Sequence, residues 1–176
     1  GEKEAMARGE PILHELAEKS GETAYVSILR ANDVVYLDSV EASTTVRVVS
    51  RLGLHMPIHA TAAGKAIVSF ESEEEIRKRF NREMTRFTPA TLATVDDLLK
   101  NLKVVRERGY AADLEEFEEG LRCIAAPIRD YTRKVIGALS ISGPAHRLND
   151  EKIETFIGPE VVRCGQDLSR RLGYRE

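Results

Sequence analysis

The run from Leu121 to Ser142 constrains the fold more than any other part of the chain. Two apolar, β-branched arms, Leu121 to Arg129 and Lys134 to Ser142, flank the polar turn Asp130-Tyr131-Thr132-Arg133, a pattern that predicts a long antiparallel hairpin. Side chains alternate between faces along a strand, so residues two apart share one. Ala138, Ser140 and Ser142 therefore share a face. On the facing arm, Leu121, Cys123, Ala125 and Pro127 form one row, and Ile124, Ala126 and Ile128 form the other. A row of alanine, serine and cysteine fills little volume. The face it lines either lies close against another backbone or leaves room for a ligand, and the residues alone leave both open.

Around this hairpin the chain reads as strands, then helices, then strands and a last helix. Pro11 suits a first helical turn, so a helix is expected from Pro11 to Lys19, with Lys3 to Arg8 as the tail of an upstream helix. Residues 1–10 are thus read as the tail of an inter-domain linker, and 11–176 as one domain. Thr23 to Leu29 and Val34 to Val40 flank an Asn32-Asp33 turn, and Thr45 to Ser50 reads as a third strand. Gly53 and Pro57 make the stretch Leu52 to His59 a loop without regular pairing. Thr61 is placed to cap one helix, Ser72 with Glu75 forms a capping box for a second, and Thr94 with Asp97 opens a third that Gly109 ends. Tyr110 to Asp113 is a short strand, and Glu115 to Glu119 a solvated acidic turn. The last helix runs from the Asn149 cap towards Leu172, and Gly158-Pro159 should kink or interrupt it. The order of elements gives an α+β fold, an antiparallel sheet with helices segregated around it.

Composition narrows the functions available. The 176 residues are 42% hydrophobic and 31% charged with a net charge of −3, which suits one globular domain and not a surface that neutralises nucleic-acid phosphates. No stretch approaches a membrane span and no signal peptide is visible, so a cytoplasmic location is expected. Cys123 and Cys164 fall on elements of different type and read as reduced thiols. The segment His59 to Ala66 fails as a phosphate loop, because His59 and Ala66 stand where that motif needs a glycine and a hydroxyl. It can instead start a helix whose Ala62 and Ala63 amides attract a carboxylate or phosphate, or be a tight packing contact. Pro57 between His55 and His59 makes a helical metal pair implausible. Neither metal nor cofactor is expected. Cys123, Asp113 and a histidine could build a thiol nucleophile, yet no local signature of a thiol hydrolase is present.

Three segments carry a resemblance: Leu54 to Ala66 (LHMPIHATAAGKA), Gly109 to Pro127 (GYAADLEEFEEGLRCIAAP) and Gly137 to Pro144 (GALSISGP). Together the chain resembles the C-terminal effector-binding domain of IclR-type transcription regulators over nearly its whole length. The resemblance implies a GAF-like domain, with a curved antiparallel sheet, helices packed around it and a ligand cavity over one face. It implies a small-molecule effector, an operator read only through a separate N-terminal winged helix-turn-helix, and a homodimer or homotetramer. By the same resemblance the Ala62 and Ala63 amides hold the effector's carboxylate, and Asp113, Cys123, Ser140 and Ser142 make polar contacts. Leu121, Thr45 and Val48 line the apolar side. Family members often carry Ser-Gly where this chain has Thr61-Ala62. Asp113, if ionised, is expected to accept a hydrogen bond from a hydroxyl or amine on the ligand. The readings to be separated from this sensor are a cysteine-dependent hydrolase and a dimerisation module without ligand.

Overall fold

The computed structural model describes residues 2–42 and 51–176. Helix α1 (Glu2–Ser20) leads into strands β1 (Thr23–Arg30) and β2 (Asp33–Val40) and the short β3 (His55–Pro57). Helices α2 (Ala62–Val68), α3 (Glu73–Arg79) and α4 (Val95–Arg108) follow. Strands β4 (Ala111–Leu114), β5 (Leu121–Arg129) and β6 (Val135–Pro144) come next. The chain closes with α5 (Asp150–Lys152), a π-helical turn over Ile153–Ile157 and α6 (Gly158–Arg171). Among the described residues the strands form one six-stranded sheet in the order β3-β2-β1-β6-β5-β4, and each of these neighbouring pairs is antiparallel. The expected strand Thr45 to Ser50, with the candidate residues Thr45 and Val48, lies outside the described residues.

The sheet separates two cores. On one face Ala24, Val26, Ile124, Ile128, Leu139 and Ile141 pack against Ile12 and Leu16 of α1 and Val161 and Leu168 of α6. On the other, Tyr25, Leu121, Cys123, Ala125 and Ala138 pack against Ala62, Ala63 and Ala66 of α2 and Leu98 and Leu102 of α4. Cys123 and Cys164 belong to opposite cores and both are free thiols. Among the described residues no helix is long and apolar enough to cross a membrane.

Local chemistry accounts for most element ends. Ser72 and Glu75 close a reciprocal capping box, Thr94 accepts from the Asp97 N–H, and Gly109 ends α4 at φ +92°. Three features of these elements depart from expectation. Helix α1 does not begin at Pro11 but runs through it. A mid-helix proline costs about 3 kcal/mol, whereas Ile12, Leu13 and Leu16 are wholly buried, at about 1.5–3 kcal/mol each, so packing outweighs the break. The β1–β2 turn is Ala31-Asn32, since Asp33 already pairs with Arg30, and Ala31 takes φ +56°. The loop around Pro57 is in part an edge strand, Met56 pairing with Val34 and Pro57 with Asp33; an edge tolerates the missing N–H. The interruption before Gly158-Pro159 is the π turn, which carries the chain into α6 with proline in its first turn.

Candidate ligand-binding site

The strand register turns rows along strands into a row across them. Asp113 of β4 faces Cys123 of β5, Cys123 faces Ser142 of β6, and Ser142 faces Thr23 of β1. Directly opposed residues share a face, so these four polar side chains line up on the side covered by α2. Ser140 lies one row further, between Ala125 and Tyr25, and Leu121 flanks the row beside Pro144. All of these candidates are buried. Cys123 Sγ and Ser142 Oγ are 3.1 Å apart. The oxygens Thr23 Oγ1, Ser27 Oγ and Asp113 Oδ2 have no hydrogen-bond partner among the described residues, although each such buried atom costs about 1–3 kcal/mol.

Asp113 is held from one side only. Its Oδ1 accepts the Glu116 N–H at 2.7 Å, and its other oxygen has no partner among the described residues. Burial pushes its carboxyl up to about 7; the Glu116 N–H opposes this, the Glu116 carboxylate adds to it, and Lys65 and Arg51 oppose it. The acidic turn is exposed at Glu118 and Glu119, as expected of a solvated loop, but Glu116 is buried. Lys65, fully buried, donates to Ala112 O at 2.6 Å and to Glu116 Oε1 at 2.7 Å, while Glu116 Oε2 accepts the Leu114 N–H at 2.9 Å. Thr88 and Thr91 donate to the Glu115 and Glu116 carbonyls, both at 2.6 Å. Glu116 turns inward because a buried lysine needs a counter-charge, so the lysine of the Ala-Gly-Lys segment is a structural anchor.

Helix α2 sits close on the sheet. Thr61 caps it by accepting the Gly64 N–H at 3.1 Å, which leaves the Ala62 and Ala63 amides without a partner inside the helix. A side chain at Gly64 would meet the Ile58 backbone at 2.5 Å. Ala62, Ala63 and Ala66 are wholly buried against the sheet. Close packing therefore accounts for the small residues of α2 and for Ala125 and Ala138. It does not account for the polar row.

The structure adds residues to this face that sequence reasoning missed. Arg51 is buried with Nη1 3.4 Å from Tyr36 Oη, and its guanidinium lies 5.9 Å from the Tyr36 ring centre and 5.6 Å from that of Phe117. Tyr36 meets Tyr25 edge-on at 5.0 Å. A lone arginine in the apolar run Val48 to Leu54 was the available signal. Burial pushes the Cys123 thiol up to about 11, with Arg51 opposing, so it is un-ionised at neutral pH and a poor nucleophile. His59 bonds the Thr85 carbonyl at 2.8 Å, and His55 pairs with exposed Asp33. Among the described residues no three His, Cys, Asp or Glu side chains form a metal-holding group. None of the candidate residues borders the recess of about 550 Å³ lined by Phe70, Arg129, Gln166 and Tyr174.

Comparison with known proteins places this geometry. The family model described as bacterial transcriptional regulator IclR, C-terminal, matches residues 3–170. The chain belongs to the IclR family. This IclR-family chain is 40% identical over 176 residues to the HTH-type transcriptional repressor AllR of Salmonella paratyphi A, covering 98% of itself and 64% of that protein. It therefore spans just under two thirds of the length of that relative. It is similar to the crystal structure of Thermotoga maritima IclR, with TM-score 0.89, 33% identity, and coverage of 97% of this chain and 69% of that one. It also matches the C-terminal domain of the Escherichia coli regulator KdgR nearly end to end, with TM-score 0.84, 30% identity, and coverage of 97% and 99%.

Proposed function

We propose that residues 11–176 form the effector-sensing and oligomerising part of an IclR-family regulator that acts in the cytoplasm as a homodimer or homotetramer. Residues 1–10, of which 2–10 begin α1, lead to it from a DNA-reading winged helix-turn-helix. The effector is a small organic molecule bearing a carboxylate. It lies against the sheet face under α2, where Asp113, Cys123, Ser140 and Ser142 make polar contacts and Leu121 an apolar one. The Ala62 and Ala63 backbone N–H groups close the rim. Thr45 and Val48 are proposed for the apolar wall on the family resemblance alone.

One observation carries this reading. Buried oxygens of Thr23, Ser27 and Asp113 stand on one face without partners among the described residues, and such atoms persist where a ligand or water completes them. Effector binding would bias the assembly between arrangements that hold the DNA heads at matching or mismatched spacing. A coupling of about 1–3 kcal/mol gives roughly 5- to 150-fold changes in operator affinity.

The close seating of α2 favours a second reading, a packed oligomerisation module without ligand. A thermal-shift screen against small organic acids separates the two, since a ligand that binds only the folded state raises the melting temperature. The sensor predicts a saturable rise that Ser142→Ala diminishes. A flat response across the panel supports the packed module.

A further inference from the structure

Among the described residues several buried and half-buried cations have carboxylate partners, and Arg51, on the candidate face, has none. Lys65 faces Glu116 at 2.7 Å, Arg79 faces Glu71 at 2.6 Å and Arg147 faces Glu22 at 2.7 Å. Arg51, only 6% exposed, has the Tyr36 hydroxyl at 3.4 Å and two aromatic rings, and among the described residues no carboxylate lies within ion-pair distance of it. Cys123 and Asp113 are its electrostatic neighbours. The thiol is un-ionised at neutral pH, and Asp113, whose Oδ1 accepts the Glu116 amide N–H, makes no ion pair with the guanidinium. A buried charge left uncompensated is costly, so the guanidinium is poised for an anion that arrives from outside.

We infer that Arg51 is the effector's counter-ion and that the site takes a small monocarboxylate. Its carboxylate seats on the Arg51 guanidinium beside Tyr36 and Phe117, and a hydroxyl or carbonyl further along reaches the Thr23-Ser142-Cys123-Asp113 row. A planar guanidinium matches a carboxylate with two parallel hydrogen bonds. A second negative charge on the ligand would face Asp113 and the Glu116 carboxylate, where among the described residues the further cation, Lys65, is already paired with Glu116. The inference rests on reading this face as the sensing site.

The test is calorimetric titration of the 176-residue chain with matched probes: glycolate against glycolamide, lactate against lactamide, and malonate as the dianion. The acids should bind, with amides and malonate at least about tenfold weaker. Arg51→Gln should lose at least about tenfold in acid affinity, and Arg51→Lys should recover part of it. Without ligand, Arg51→Gln should melt no lower than the parent, because it removes an unpaired buried charge; an arginine with only a structural role would lower the melting temperature. Acid binding that Arg51→Gln leaves unchanged but Ser142→Ala weakens overturns the role of Arg51 while the site stands. Amides binding as tightly as acids do the same. Failure of every acid to bind at millimolar concentration overturns both.

Discussion

Lys65→Met tests the anchor beneath the site. The Lys65 ammonium is fully buried and donates to the Ala112 carbonyl at 2.6 Å and to Glu116 Oε1 at 2.7 Å. Methionine fills nearly the same space without the charge. The Glu116 carboxylate, 9% exposed, would then keep only the Leu114 N–H. Breaking one side of a buried pair costs about 3–5 kcal/mol, against a total stability of about 5–15 kcal/mol for a domain. At about 2–4 °C per kcal/mol for a chain of this size, the melting temperature should fall by roughly 6–20 °C. Glu116→Gln should cost a similar amount, because it strands the ammonium. The double variant should recover at least about 1.5 kcal/mol of the summed losses. Urea unfolding of the four proteins closes this cycle. A Lys65→Met loss below about 1 kcal/mol, or single losses that add within about 0.5 kcal/mol, would refute the claim that Glu116 turns inward for Lys65.

Three further outcomes follow from particular residues. The Asp113 carboxyl is raised from 3.8 to about 7 in the fold, so its protonated form favours folding: that stability is complete below pH ~4 and lost as pH rises through ~7. Between those limits the parent should lose up to about 4 kcal/mol relative to Asp113→Asn, and parallel urea midpoints at pH 4.5 and 8 would contradict it. Gly64→Ala should cost at least about 2 kcal/mol by thermal melting, since its methyl group would sit 2.5 Å from the Ile58 backbone; an unchanged melting temperature would show that α2 can slide. Ala31→Gly should stabilise by about 1 kcal/mol, because Ala31 holds φ +56° in a two-residue turn, and a loss on equilibrium unfolding would count against that geometry.

The elements that local chemistry decides were legible in the chain. The Ser72-Glu75 box, the Thr94 cap with Gly109 and the arms of the long hairpin need only neighbours within a few residues. What depended on distant partners was not. Pro11 reads as a helix start until α6 and the sheet are present to bury Ile12, Leu13 and Leu16, and β3 reads as a loop until Val34 offers it an edge. The Glu115 to Glu119 run looks solvated in sequence, because nothing nearby reveals that Lys65, fifty-one positions from Glu116, lies fully buried against it.

The candidate site divides along the same line. Alternation along one strand puts Leu121 with Cys123 and Ser140 with Ser142, but only the register sets Asp113, Cys123, Ser142 and Thr23 side by side across four strands. The small side chains that first suggested a hollow prove to be what lets α2 seat closely, so they no longer argue for a ligand. A ligand is called for instead by groups that packing leaves incomplete among the described residues: the oxygens of Thr23, Ser27 and Asp113, and the guanidinium of Arg51. Arg51 meets Tyr36 from β2 and Phe117 from the β4–β5 turn, three parts of the chain that no spacing rule connects. A face that served packing alone would have replaced such groups with apolar ones at little cost, since an apolar core is at least as stable as a half-satisfied polar one. Their presence is a reason to look for an anion that completes them.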